Sequence, residues 1–128
     1  MGRVVLDASA LLTFLNDEPG ADAAAQALED DPVMSAVNVA EAATKMVDLG
    51  LDPADVGEML EGLGIDVVAF DEVAAYHAAA LRSATRRAGL SLGDRACLSL
   101  GMRLGLPVLT ADQAWRSTAL PVEVLLLR

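Results

Sequence analysis

Short, mostly apolar runs that contain valine alternate along this chain with longer segments that have the apolar spacing of helices. Runs of this kind are typical of strands that are buried on both faces of a parallel sheet. We expect five of them to be strands: residues 4–6, 33–36, 65–70, 108–110 and 122–127. The alternation predicts an α/β fold in which helices cover both faces of a central parallel sheet of about five strands, so that the layers are ordered α/β/α.

Helical periodicity fills the segments between these runs. The predicted helices cover 9–16, 21–29, 38–49, a stretch after Asp52 and Pro53, 71–88, 96–104 with a start at Gly93, and a turn over 112–117. The order is therefore β-α-α-β-α-α-β-α-α-β-α-β, without repeats or low-complexity linkers. At 128 residues, we expect one domain over 1–128.

The charge and the rare residues exclude several classes of protein. Nineteen acids against nine bases give a net charge of −10, which on its own argues against a nucleic-acid partner. A single cysteine, Cys97, excludes an internal disulfide and a cysteine-cluster zinc site. A single histidine, His77, argues against a histidine-rich metal site and a Ser-His-Asp triad.

The chain lacks the marks of a membrane or secreted protein. No apolar run approaches the roughly 20 residues that a membrane span needs. The first residues become charged too soon for a signal peptide. We therefore expect a cytoplasmic location and no membrane association.

Four acids follow strands or begin helices at the same predicted edge of the sheet: Asp7, Glu41, Asp94 and Asp112. In a parallel sheet, strand carboxyl ends and helix amino ends share one edge, where ligands bind. Each acid also has a simpler interpretation as a helix cap, with Glu41 completing a capping box from Asn38. The joint pattern favours a shared site, while the caps remain an alternative.

The negative charge of four neighbouring carboxylates must be compensated. Two of them about 4 Å apart repel by roughly 4 kcal/mol at an effective dielectric constant near 20. They therefore require a cation, or some of them must be protonated. Oxygen ligands without histidine or cysteine select a hard ion, Mg²⁺ or Mn²⁺. Such a site suits phosphodiester hydrolysis.

Four segments of the chain resemble a known family. Segments 5–12, 38–41, 92–94 and 106–115 look like those of a PIN domain, and most closely like the VapC-type toxins of type II toxin–antitoxin pairs. The resemblance covers nearly the whole chain. It implies a five-stranded PIN fold and a Mg²⁺-dependent endoribonuclease, with Mn²⁺ as a possible substitute.

The resemblance also implies roles for particular residues. The acidic quartet of the family falls on Asp7, Glu41, Asp94 and Asp112, and supporting polar groups fall on Ser9, Asn38 and Thr110. It further implies an RNA substrate, a cognate VapB-type antitoxin as partner and a homodimer. From the acids and the lack of histidine chemistry, we expect in-line attack of water that leaves 5′-phosphate and 3′-hydroxyl ends.

The basic residues are few. Arg82, Arg86, Arg95 and Arg116 are candidates for RNA binding, against the simpler interpretation of solvated side chains paired with local acids. Trp115 is predicted to pack against the sheet, with stacking on a base as the alternative. Six aliphatic residues on two successive helices are predicted to be mostly core, or else to line a groove for a partner helix: Met46, Leu49, Leu51, Met59, Leu60 and Leu63.

Three other functions compete with this interpretation. A haloacid-dehalogenase-like phosphatase would need a second acid at position 9, where the chain has Ser9. A non-enzymatic receiver-like signalling domain would need paired acids after the first strand and a late lysine, but the only lysine is Lys45. A pure interaction domain remains open if the four acids never meet.

Overall fold

A computed structural model describes residues 2–128. One five-stranded sheet, parallel throughout, has the order β3-β2-β1-β4-β5, which confirms the predicted fold class. Its strands are shorter than the apolar runs: β1 (Val5–Leu6), β2 (Val33–Ser35), β3 (Asp66–Val68), β4 (Val108–Thr110) and β5 (Val124–Leu126). The first strand lies in the centre, between β2 and β4.

Seven α-helices and one 3₁₀ helix connect these strands within residues 2–128. They are α1 (Ala8–Leu15), α2 (Ala21–Leu28), α3 (Ala36–Asp48), α4 (Pro53–Glu61), α5 (Glu72–Ala80), α6 (Arg82–Thr85), α7 (Leu92–Leu104) and the 3₁₀ helix Gln113–Ser117. No helix in this range is long and apolar enough to cross a bilayer.

Consecutive residues at β1 face two separate cores, as expected for a strand covered on both sides. Val4 and Leu6 belong to a core shared with α1, α2, α3 and α4. Val5 belongs to a second core that contains buried residues of α7 together with Trp115. Trp115 is fully buried, so the prediction that it packs against the sheet is confirmed.

Two predicted helix boundaries are wrong. The helix expected over 71–88 breaks at Leu81 into α5 and α6, because the Ala78 carbonyl accepts from both the Leu81 N–H and the Arg95 side chain. The helix expected to begin at Asn38 begins at Ala36, because the Ser35 hydroxyl accepts from the Val37 N–H and forms the cap. Both differences arise from contacts that apolar spacing does not reveal.

Candidate metal centre at the carboxyl edge of the sheet

The four predicted acids line one open cavity at the carboxyl edge of the sheet. This cavity has a volume of about 220 Å³. Asp7 is buried, Glu41 and Asp94 are half-buried, and Asp112 is exposed. The structure therefore places all four acids around one cavity at the predicted edge. The complete lining is Asp7, Ala8, Ser9, Leu12, Glu41, Lys45, Asp94 and Asp112.

Asp7 forms the innermost part of this cavity and is only 4% exposed. Its carboxylate accepts hydrogen bonds from Thr110 Oγ1 at 2.6 Å, from Ser9 Oγ at 2.7 Å and from the Ala10 N–H at 2.8 Å. The last bond makes Asp7 the N-cap of α1. The Ser9 hydroxyl also accepts from the Ala111 N–H at 2.9 Å. Two of the three predicted supporting residues thus hold Asp7 and join β1 to β4.

The surroundings of Asp7 favour its protonated form when no cation is present. The pKa of Asp7 is raised from 3.8 to about 6, because burial and the negative charge of Asp94 outweigh the hydrogen bonds from Thr110, Ser9 and Ala10, which lower it. Burial is the largest of these effects. A cation near the carboxylate would reverse this preference, since an opposite charge stabilises the ionised form.

Glu41 is held by the third predicted supporting residue. Asn38 is 1% exposed, and its Nδ2 donates to Glu41 Oε1 at 2.9 Å and to the Gly93 carbonyl at 3.0 Å. Asn38 therefore joins α3 to the first turn of α7. Its own Oδ1 is buried and has no protein donor. A buried amide oxygen without a partner is a further oxygen of the kind that hard cations and their water ligands use.

Asp94 and Asp112 act as helix caps as well as cavity walls. Asp94 occupies the N3 position of a capping box whose N-cap is Ser91, and its Oδ2 accepts from the Ser91 N–H at 2.9 Å. Asp112 is the N-cap of the 3₁₀ helix, and its Oδ1 accepts from the Ala114 N–H at 2.9 Å. The expected box between Asn38 and Glu41 is not a cap, because Ser35 has that position. For these acids, capping and lining the cavity are compatible.

The free oxygens of the outer acids fit a hard divalent cation. Among the described residues, Glu41 Oε2, Asp94 Oδ1 and Asp112 Oδ2 have no hydrogen-bond donor from the protein. Within residues 2–128, no three His, Cys, Asp or Glu side chains are close enough to enclose an ion by themselves. Repulsion between carboxylates opposes such an approach until a cation is bound. An all-oxygen donor set matches Mg²⁺ or Mn²⁺.

Cys97 lies near this centre but contributes no ligand. It is wholly buried in the core of α7. Burial raises the pKa of its thiol well above its usual range, and the negative charges of Asp7, Asp94 and Glu41 act in the same direction. The thiol is therefore neutral, and Cys97 behaves as a small buried apolar residue. His77 is exposed on α5.

Sequence reasoning missed one residue of the cavity lining and one residue that lies against a lining acid. Lys45 lines the cavity, four residues after Glu41 on α3, and this one-turn spacing was the available signal. Gly93 lies against Glu41 so closely that a Cβ atom at position 93 would overlap the Glu41 carboxylate. No local pattern signals this contact, because it joins two helices that are distant in the sequence.

The predicted RNA-binding arginines lie outside the cavity lining. Arg82, Arg86 and Arg116 are exposed and form no ion pair within residues 2–128. Arg95 is half-buried, and its Nη1 donates to the Ala78 carbonyl at 3.1 Å, which gives it a structural contact with α5. A role in RNA binding stays a prediction for all four.

A second, larger cavity of about 490 Å³ is an apolar groove between α1, α3, α4 and β3. Of the six aliphatic residues predicted here, only Leu60 lines it. Met46 is also buried, whereas Leu49 is 68% exposed, so the prediction of a mostly buried set holds only in part. The groove is lined instead by Leu11, Val39, Ala43, Val47, Pro53, Val56, Gly57, Leu60, Glu61, Ile65 and Val67.

Known proteins are similar to this chain in sequence and in fold. The PIN domain family model matches residues 4–120. The protein named Ribonuclease VapC of Mycolicibacterium smegmatis is 34% identical, over 90% of this chain and 95% of that protein.

Two solved structures share the fold at low sequence identity. A toxin–antitoxin complex from Klebsiella pneumoniae has a chain that matches with a TM-score of 0.75 at 16% identity, over 98% of both chains. DNA-bound VapBC from Salmonella typhimurium matches with a TM-score of 0.73 at 18% identity, over 100% of both chains. The family model's match over residues 4–120 and the relative at 34% identity establish that the chain belongs to the PIN-domain family.

Proposed function

We propose that residues 1–128 form a single PIN domain with divalent-metal-dependent endoribonuclease activity, and that the chain is the VapC-type toxin of a type II toxin–antitoxin pair. One observation carries the proposal: the three acids that line the cavity with the buried Asp7 each have one carboxylate oxygen without a protein donor. The Ribonuclease VapC relative at 34% identity supports the choice of RNA as substrate.

Each polar residue has a role in this proposal. Asp7, Glu41, Asp94 and Asp112 hold Mg²⁺, with Mn²⁺ as a substitute. When bound, the ion supplies Lewis-acid stabilisation of the phosphate and lowers the pKa of water.

The supporting residues position these acids. Ser9 and Thr110 fix the Asp7 carboxylate, while Asn38 fixes Glu41. Water attacks an RNA phosphodiester in line and leaves 5′-phosphate and 3′-hydroxyl ends.

The competing functions find less support. A dehalogenase-type phosphatase needs an acid at position 9. This chain has Ser9 there, which carries no carboxylate and whose hydroxyl donates to Asp7. A receiver-like domain needs a pair of acids directly after β1, where the chain has Asp7 alone. Membership of the PIN family also favours a nuclease over either of them.

The activity is tested with variants that separate capping from metal binding. Asp112→Asn and Asp52→Asn each remove the charge of an N-cap whose carboxylate accepts from an amide two residues on. Only Asp112 lines the cavity. We expect Asp112→Asn to lose RNA cleavage and Asp52→Asn to retain it, with both folded by circular dichroism.

A second pair controls for the buried acid. Asp7→Asn and Asp71→Asn each alter a cap that accepts from the amide three residues on. We expect cleavage to disappear only in Asp7→Asn, and EDTA to abolish wild-type cleavage. Wild-type activity in Asp7→Asn, cleavage that resists EDTA, or products with 2′,3′-cyclic phosphate would each overturn the proposal.

The apolar groove is the proposed docking site of the antitoxin. The similar solved structures are a toxin–antitoxin complex and a VapBC complex, which supports a VapB-type protein as the occupant. An amphipathic segment suits the groove, because its lining is aliphatic except for Glu61. The groove and the acidic cavity share α1 and α3, so one bound segment would reach both.

A charge in the groove tests this partner. Val47 lines the groove and is 39% exposed, while Val73 on α5 is 54% exposed and outside it. We expect Val47→Glu to reduce co-purification with the cognate antitoxin and to leave RNA cleavage intact, and Val73→Glu to change neither. Equal antitoxin binding by wild type and Val47→Glu would count against the groove.

A further inference from the structure

Lys45 is the one cationic residue that lines the acidic cavity in the described part of the chain. It is also the only lysine of the sequence. It lies one helical turn beyond Glu41 on α3, so both side chains project from the same face of the helix. None of the arginines shares this lining.

The Lys45 ammonium is exposed and uncommitted. It forms no ion pair with any acid in residues 2–128, although four carboxylates line the same cavity. A lysine ammonium is a compact charge on a flexible stem, able to follow a ligand into an open site. A purely compensating lysine would instead be drawn into contact with one of these carboxylates.

A phosphodiester that enters this cavity meets a strongly negative surface. The metal ion accounts for part of the attraction, but the carboxylates that hold the ion repel the remaining phosphate charge. A mobile ammonium at the edge of the cavity offsets this repulsion and can bind a non-bridging phosphate oxygen, a common use of lysine. The position of Lys45 meets this requirement without occupying the free oxygens of the acids.

We propose that Lys45 binds the phosphodiester of the RNA substrate at the cavity. Its ammonium is the positive charge that the protein itself provides there, in addition to that of the metal ion. This inference rests on the proposed nuclease function. It has two consequences with opposite signs: loss of the Lys45 charge weakens RNA binding, and it strengthens Mg²⁺ binding, because a like charge no longer opposes the ion.

The RNA test uses protein in which cleavage is blocked. Filter binding of end-labelled total bacterial RNA is compared between Asp94→Asn and Asp94→Asn combined with Lys45→Gln or Lys45→Arg, over a series of salt concentrations. We expect Lys45→Gln to raise the apparent Kd roughly tenfold and to reduce the salt slope by about one. Lys45→Arg retains the charge and should keep the slope.

Arg103→Gln is the matched control, because Arg103 is exposed near the far end of α7, outside the acidic cavity. This variant should leave the RNA Kd and the salt slope unchanged. An RNA Kd and salt slope that are the same with and without Lys45→Gln would overturn the inference.

Metal titration gives the second readout. Calorimetry with Mg²⁺ alone should show tighter binding in Lys45→Gln than in wild type, with unchanged thermal unfolding. Equal or weaker Mg²⁺ binding in Lys45→Gln would count against the placement of the ammonium. Wild-type cleavage assays decide the nuclease function separately: absence of cleavage refutes that function, whereas the binding series refutes or supports the role of Lys45.

Discussion

The Oγ1 hydroxyl of Thr110 lies 2.6 Å from Oδ2 of Asp7, although 103 positions separate the two residues. Thr110 is fully buried at the end of β4, and Asp7 directly follows the neighbouring β1. The same hydroxyl accepts from the Asp112 N–H at 3.0 Å. One threonine therefore positions the innermost acid of the cavity and the loop that carries the outermost one.

Removal of this hydroxyl should affect both acids. In Thr110→Val, the Asp7 carboxylate loses a donor and the Asp112 N–H loses its acceptor. We expect the free energy of unfolding to fall by about 2 kcal/mol, the range for a buried bond to a charged group. We expect the pKa of Asp7 to rise further, because this bond lowers it. Carboxyl NMR titration and urea unfolding measure both effects.

Thr110→Ser is the control for this change, since it keeps the hydroxyl and loses only a methyl group. It should preserve the pKa of Asp7 and most of the stability. An unchanged pKa in Thr110→Val would show that the bond has no influence on the ionisation of Asp7.

The raised pKa of the buried Asp7 predicts that this residue destabilises the metal-free protein as the pH rises. Its pKa of about 6 in the folded state exceeds the ordinary 3.8, so the folded state binds the proton more tightly than the unfolded state. The stabilisation is complete below pH 3.8 and is lost as the pH rises through about 6. The shift corresponds to on the order of 3 kcal/mol.

Asp7→Asn should therefore be more stable than wild type at neutral pH and should lack this pH dependence. The amide can still accept from the Ala10 N–H and can donate to Thr110 Oγ1. Urea unfolding in EDTA across the pH series measures the difference, with Asp71→Asn as the exposed-cap control. A stability difference between Asp7→Asn and wild type that stays constant from pH 3.8 through about 6 would contradict the prediction.

Because Gly93 has no side chain, the Glu41 carboxylate can occupy the space next to it. In Gly93→Ala the added methyl group would overlap that carboxylate, which sits at the end of a flexible side chain and can move away. We expect the fold to survive, because alanine has a higher helix propensity than glycine. Mg²⁺ affinity should fall by roughly tenfold, as is typical when a supporting contact of a metal ligand is lost.

Gly57→Ala provides a matched comparison on α4, because a Cβ atom there would meet nothing within 4 Å. It should leave Mg²⁺ affinity unchanged in calorimetry. Equal affinities in Gly93→Ala and wild type would mean that the position of Glu41 does not matter for the ion.

Arg86 and Arg95 should differ in what they affect. Arg86 is exposed and unpaired among the described residues, so Arg86→Gln should weaken RNA binding and lower the salt slope by about one, without a change in thermal unfolding. Arg95→Gln should lower the thermal stability, because it loses the bond to the Ala78 carbonyl. Binding of total RNA across salt concentrations and thermal unfolding test both, and an unchanged salt slope in Arg86→Gln would remove it from the RNA interface.

Some of the architecture follows from local patterns. Valine-rich runs such as 4–6 and 108–110 identify strands, because apolar residues on consecutive positions need cover on both faces of a sheet. Asp7 and Asp112 could be assigned to the carboxyl edge for the same reason, since the chain leaves each strand at that edge. The Asp-Pro start of α4 is similarly local, with Asp52 as the cap.

Contacts between distant segments decided the rest. Ser35 rather than Asn38 caps α3, which frees Asn38 to join Glu41 to the Gly93 carbonyl. The side chain of Arg95 reaches the carbonyl at which α5 ends.

The sequence by itself determined the alternation of strands and helices along the chain, apart from the break at Leu81, and the edge at which the acids lie. Only the tertiary structure decided which carboxylate is buried, which oxygens remain free, and that Lys45 lines the same cavity. The physical reason is the range of the forces involved. Periodicity and capping act within a turn or two of chain, whereas burial, ionisation and free hydrogen-bonding capacity depend on what packs against a group from elsewhere.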